Sequence, residues 1–103
     1  MQTVFLLIVL DFSSGRKNQY CMKNGNHFTF RRLDVAKTNC LANDNCVGLV
    51  DQRGEGKQFS LCNKPLIIRN SSIGGIFYQK LLKGIIRINA HNYIFNKDNW
   101  KLA

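Results

Sequence analysis

The sequence predicts a small, disulfide-stabilised α+β domain, and three observations lead there. The chain has 103 residues, room for one domain, and a domain that small buries only about 60–65% of its unfolded surface, leaving a marginal core. Four cysteines form an even set that can staple such a core, a disulfide framework in an oxidising compartment. One helical period stands among several short alternating runs bounded by Gly, Asn and Pro.

Residues 1–15, MQTVFLLIVLDFSSG, carry an apolar run over 4–10 followed by the small residues Ser13, Ser14 and Gly15, as in a secretory signal cleaved after Gly15. No Lys or Arg precedes the run and Asp11 follows it at once, so a buried first strand or a truncated gene start competes with that reading. A membrane anchor is not expected, since a spanning helix needs about 20 apolar residues.

Residues 18–32, NQYCMKNGNHFTFRR, have the character of a β-hairpin turning at Asn24-Gly25. Phe28 and Phe30 alternate with Thr29 and Arg31, as in a half-buried strand. The next run, LDVAKTNCLAND, is the one helix: Leu33, Ala36 and Cys40 share a face, Lys37 and Asn39 point elsewhere, and Asp34 is placed to cap the N-terminus. Asn43, Asp44 and Asn45 end it, because their side chains compete for backbone hydrogen bonds and tolerate turns.

CVGLVD, residues 46–51, reads as a central strand. QRGEGKQ follows as an exposed hairpin loop, and FSLC returns as a strand with Phe59 and Leu61 on one face and Ser60 and Cys62 on the other. Pro65 opens a turn, residues 70–75 make a loop, and IFYQK (76–80) closes the unit. Residues 81–103 change character, with neither cysteine nor proline and no clean apolar period. They are expected to be a peripheral, poorly ordered tail. An amphipathic appendage setting Leu81, Leu82, Ile85, Ile86 and Ile88 against Lys80, Lys83 and Arg87, or an additional strand, is the alternative.

Fifteen Lys and Arg against six Asp and Glu give a net charge of +9, which favours anionic partners. The basic residues are scattered, with no tract of the nucleic-acid-binding kind, and a diffusely basic soluble surface is the competing account. No metal site is expected: zinc ligands come in close pairs, whereas five residues separate Cys40 from Cys46 and neither His27 nor His91 has a partner at ligand spacing. A redox pair wants Cys-x-x-Cys with its thiolate at a helix N-terminus, but Cys40 lies near the C-terminal end, where the dipole opposes a thiolate. A staple from helix end to next strand needs only Cα atoms within about 7 Å. Nucleophile–base sets, paired carboxylates and phosphate loops are likewise unmarked, so no cofactor and no catalysis are expected. Asn70-Ser71-Ser72 is a glycosylation sequon in a predicted loop.

Residues 20–80 taken together resemble a PAN/apple-type domain. The likeness lies in the order Cys21 on an opening strand, DVAKTNC on the helix, NDNC leading into VGLV, then FSLC and FYQK. The fuller pattern has a further helical cysteine where Ala36 stands, and a last cysteine beyond the closing strand; this chain has neither. The resemblance implies a small antiparallel sheet with one helix packed across it and tied down by disulfides. Of the three possible pairings, it implies Cys40–Cys46 and Cys21–Cys62. It also implies a non-catalytic extracellular module of adhesion or matrix type, binding protein or carbohydrate ligands.

The leading expectation is therefore a secreted recognition module, glycosylated at Asn70, with an extracellular protein or glycan as partner. For a sulfated glycan the candidate contacts are Lys23, Arg31, Arg32, Lys37, Lys64 and Arg69. A cationic secreted effector or membrane-active, toxin-like peptide is the alternative from another class. A cytosolic thiol protein, with the N-terminus retained and all four cysteines reduced, is the third.

Overall fold

The computed structural model describes residues 4–89, 93–95 and 100–102, and side chains over 8–84. The chain divides into two compact units, Asp11–Leu81 and a second formed by Met1–Leu10 with Leu82–Ala103. The larger unit has the predicted α+β architecture, with an antiparallel sheet, one helix and two disulfides.

The main sheet runs in the order β1 (Val4–Phe12), β8 (Ile76–Asn89), β5 (Cys46–Asp51), β6 (Phe59–Asn63), β4 (Thr29–Phe30), and β2 (Arg16–Lys17) also pairs with β8. At its centre Leu49 lies between Leu61 and Tyr78, and Val50 between Ser60 and Phe77. Alternation from Gly48 onward sends Leu49 one way and Val50 the other, and a register shift between Cys46 and Gly48 breaks it, leaving Cys46 on the side of Leu49. Leu49, Phe59 and Leu61 join Phe12, Ala36, Cys40 and Cys46 in one core cluster, while Val50, Cys62 and Phe77 join Cys21 in a second. Burial on both faces explains why CVGLVD reads as a continuous apolar run. Gly48 is required there: a Cβ would meet the Tyr78 carbonyl oxygen at 2.8 Å and the Phe77 ring at 2.9 Å.

Each core cluster contains one disulfide. Cys40–Cys46 joins α1 (Leu33–Ala42) to the start of β5 with a Cα separation of 5.2 Å. Cys21–Cys62 joins β3 (Gln19–Cys21) to β6, its Cα atoms 5.9 Å apart.

The helix packs Ala36 and Cys40 fully inward, with Leu33 against the same cluster. It begins two residues earlier than Asp34 capping requires. Arg32 occupies the cap position without a side-chain cap, and Asp34 sits inside the first turn, salt-bridged to Arg32 at 2.7 Å. Drawing Leu33 into the helix places it against the core, and Asp34 still suits the positive end of the dipole. At the other end the Asn-Asp-Asn turn forms as expected: the Asn45 N–H donates to Asn43 Oδ1 and the Cys46 N–H to the Asn43 carbonyl. Lys80 reaches over from β8 and donates to the carbonyls of Cys40 and Asn43, at 2.9 and 3.0 Å. Burial lowers its pKa from the ordinary lysine value; Asp44 pulls it back up and Lys64 pushes it further down. Lys37 lies 5.7 Å from the Phe12 ring centre and 5.5 Å from that of Tyr78, rather than pointing clear of the core.

Three further expectations are corrected. Asn24 and Gly25 both take positive φ, as the turn requires, but the flanking strands do not pair as a hairpin. β3 pairs with β7 (Ile68–Asn70), and β4 pairs with β6. The Asn24 amide donates to the carbonyls of Asn63 and Pro65, which docks this turn on the far end of β6. Phe28 is not on a buried face; it is 76% exposed, because β4 covers only residues 29 and 30. Lastly, β8 continues through Leu81 to Asn89, and in the smaller unit β9 (Tyr93–Phe95) pairs antiparallel with β10 (Trp100–Leu102). The segment expected to be a tail thus starts as strand; residues 90–92, 96–99 and 103 of that expectation lie outside the described residues.

The N-terminal run also has a structural place. Residues 4–12 form β1, beside β8. Phe12 is buried in the core, and Ser13 is bonded twice to Gln79, N–H to carbonyl at 2.8 Å and Oγ from the Gln79 N–H at 2.9 Å. No helix among the described residues is long and apolar enough to cross a membrane.

Candidate functional site

A cleft of about 460 Å³ in the larger unit opens where β4 and the β5–β6 loop meet. Its basic side chains come from two places: Arg31 just past β4, and Arg53 and Lys57 in the loop. Asp51, Glu55 and Phe30 complete its chemistry.

The loop has this shape for identifiable reasons. Gly54 and Gly56 both take left-handed φ, of 71° and 72°, where a side chain is costly. Gly54 also lies against Gly74 of the neighbouring loop, with no room for a Cβ. Asp51, at the end of β5 and 4% exposed, accepts the Gly56 N–H on Oδ2 at 2.9 Å. Its Oδ1 is buried with no hydrogen-bond partner among the described residues. The carboxylate therefore anchors the loop from beneath while Arg53 and Lys57 stay exposed. Three cations outnumber the carboxylates of Asp51 and Glu55 in this concavity. With Asp51 turned to the loop backbone, they can hold a sulfate or carboxylate by charge and by N–H donation, the guanidinium forks of Arg31 and Arg53 suiting planar bidentate contacts.

A second hollow, about 430 Å³, lies between α1 and the β4–β6 edge and is lined by Phe28, Phe30, Leu61 and the amides of Asn26, Asn39 and Asn43. Phe30 lines both hollows.

The six anion-binding candidates are dispersed among several settings. Arg31 alone lines the basic cleft. Lys23 lines a different hollow, with Tyr20, Met22 and Gln52. Arg32 is salt-bridged to Asp34 and Lys37 lies over two rings. Lys64 is exposed beside the β6–β7 turn, and Arg69 is exposed on β7 opposite Tyr20. Sequence reasoning passed over Arg53 and Lys57 because they stood in a loop counted only as exposed; the available signal was two cations flanking the Gly-Glu-Gly turn. Asn70 is exposed, but as the last residue of β7 rather than in a loop. His27 is exposed, and His91 lies outside the described residues. Among the described residues no cluster of three or more His, Cys, Asp or Glu is placed to hold a metal ion.

Comparison with family models, curated proteins and solved structures finds no match to this chain.

Proposed function

We propose that this chain is a secreted, non-catalytic recognition module whose basic cleft binds an anionic extracellular ligand, a protein or a glycan. The observation that carries the reading is the convergence of Arg31, Arg53 and Lys57 on one concavity, with a buried carboxylate fixing the loop that presents two of them. The two fully buried disulfides favour an oxidising compartment. The PAN/apple resemblance of residues 20–80 points the same way, and the Asn70 sequon belongs to this reading as an exposed acceptor.

Salt elution from immobilised heparin tests it. R31A/R53A/K57A should elute well before the wild type, while K17A/K64A/R69A, which removes three other exposed cations, should move much less. Equal shifts for the two triple variants would reduce the interaction to diffuse charge and overturn the cleft as its site.

A further inference from the structure

We infer that the site extends past the cleft, and that its ligand is an acidic oligosaccharide with its anionic group beside Arg31, Arg53 and Lys57 and the neighbouring sugar ring laid on Phe28. This rests on the anion-binding reading above and adds the chemistry of what is bound.

Phe28 is the most exposed large apolar side chain described outside the smaller unit, at 76%, yet its backbone is held. The Asn26 side chain is 8% exposed, and its Oδ1 accepts the Phe28 N–H at 2.9 Å. Asn26 is itself fixed by its own N–H donating to the Lys23 carbonyl. The buried amide fixes the backbone that carries Phe28, so the ring stands at the surface where it adds nothing to the core, and the main chain there need not be ordered on binding.

The groups around the ring are amides. Asn39 spends its Nδ2 on the Val35 carbonyl and Asn43 its Oδ1 on the Asn45 N–H. Asn39 keeps a carbonyl oxygen to accept with, and Asn43 an NH₂ to donate with. One aromatic face with a neutral donor and acceptor beside it matches a sugar, whose C–H face is apolar and whose hydroxyls both donate and accept. β4 is the last strand of the main sheet, so an extended peptide pairing with that edge is the competing occupant; the neutral amides beside the ring favour the sugar. Phe30 walls both hollows, and Phe28 stands two residues away, about 7 Å along an extended chain. Adjacent rings of one oligosaccharide span such a distance. An isolated sulfate would use only the cleft.

Titration of the full chain tests this with three probes: a sulfated tetrasaccharide from chondroitin sulfate, inorganic sulfate, and an acidic peptide of equal charge carrying one aromatic residue. F28A should weaken the tetrasaccharide about tenfold, F28W should restore it, and sulfate-induced NMR shifts at Arg31, Arg53 and Lys57 should be the same in F28A as in the wild type. Phe28 is a surface residue, so a far-UV CD spectrum matching the wild type is expected and confirms that the variant folds. Tetrasaccharide binding that R53A/K57A weakens and F28A does not would overturn this inference while leaving the anion site standing. Failure of the wild type to bind any of the three probes would overturn the anion-binding reading itself. A peptide that binds more tightly than the tetrasaccharide and loses affinity in F28A would assign the same surface to an acidic protein segment and overturn the saccharide.

Discussion

Phe12→Ala tests whether the N-terminal segment belongs to the fold. Phe12 is 7% exposed and lies in the cluster with Ala36, Cys40, Leu49 and Phe59. Cutting a buried Phe to Ala costs about 3–5 kcal/mol through lost burial and the cavity left behind. The Lys37 ammonium over its ring adds roughly 0.5–1 kcal/mol, part of which Tyr78 retains. A loss of about 3–4 kcal/mol is expected, and hence a fall in Tm of roughly 15–25 °C for a unit of this size. Urea and thermal unfolding followed by far-UV CD measure it, with F28A as a surface control expected within about 0.5 kcal/mol of the wild type. Cleavage after Gly15 would go further, removing Phe12 together with the two Ser13–Gln79 hydrogen bonds at roughly 1 kcal/mol each. The combined loss approaches the whole net stability of a small domain, about 5–10 kcal/mol. A chain beginning at Arg16 should therefore lose cooperative unfolding, so the secretion proposed above requires that Phe12 and Ser13 stay in the mature chain rather than leave with a signal cleaved after Gly15. If F12A unfolds within 1 kcal/mol of the wild type, or the shortened chain melts as the full one does, the placement of Phe12 in the core is wrong.

The two bridges should contribute unequally. C21S/C62S opens a separation of 41 residues and should cost about 4 kcal/mol, C40S/C46S one of 6 and about 2 kcal/mol, in urea titrations of the two variants. G48A should lose roughly 2–3 kcal/mol, because the new methyl meets the β8 backbone rather than a side chain that can yield; a variant as stable as the wild type would show that β5 and β8 are not so close. K80M should cost about 0.5–1.5 kcal/mol by removing the lysine bonds to the carbonyls of Cys40 and Asn43, each of which keeps one backbone N–H donor, with amide exchange of residues 40–46 accelerated. D51A should slacken the loop carrying Arg53 and Lys57 by removing the acceptor of the Gly56 N–H, and amide exchange at Gly56 should be faster in D51A than in D51N, which keeps an amide oxygen for that bond; equal exchange in the two would detach this side chain from the loop.

The parts legible in the sequence were those whose period is set by burial. Leu33, Ala36 and Cys40 marked the helix, and Phe59 and Leu61 marked the face of β6, because one core imposes their spacing. Elements held by backbone pairing alone left no such mark. β7 has three exposed residues and exists because its ladder meets β3, and no apolar alternation announces it. Asn24-Gly25 forms a turn but not a hairpin: turn chemistry fixes local φ, whereas the partner of each strand is chosen by distant residues such as Asn63 and Ile68. The site was legible least of all, with Arg31 identified in advance and Arg53, Lys57 and Phe28 not. Exposed residues carry no periodic constraint, and Phe28 in particular imitates the alternation of a strand that ends before it is covered.

The +9 charge is a poor guide to the partner for a related reason: several cations that produce it are engaged within the fold. Arg16 lies over Phe77 at 5.8 Å, Arg32 is paired with Asp34, Lys37 sits over Phe12 and Tyr78, and Lys80 closes the helix C-terminus. Each of these holds an element in place. Losing one would weaken an anionic ligand only by loosening the fold or thinning the long-range field, and both effects fall on all anions alike. Arg31, Arg53 and Lys57 differ in facing one cleft, so their removal should change which anion is held as well as how strongly. Selectivity between a sulfated saccharide and sulfate itself, measured at fixed ionic strength, is therefore the quantity that separates a binding site from a merely basic surface.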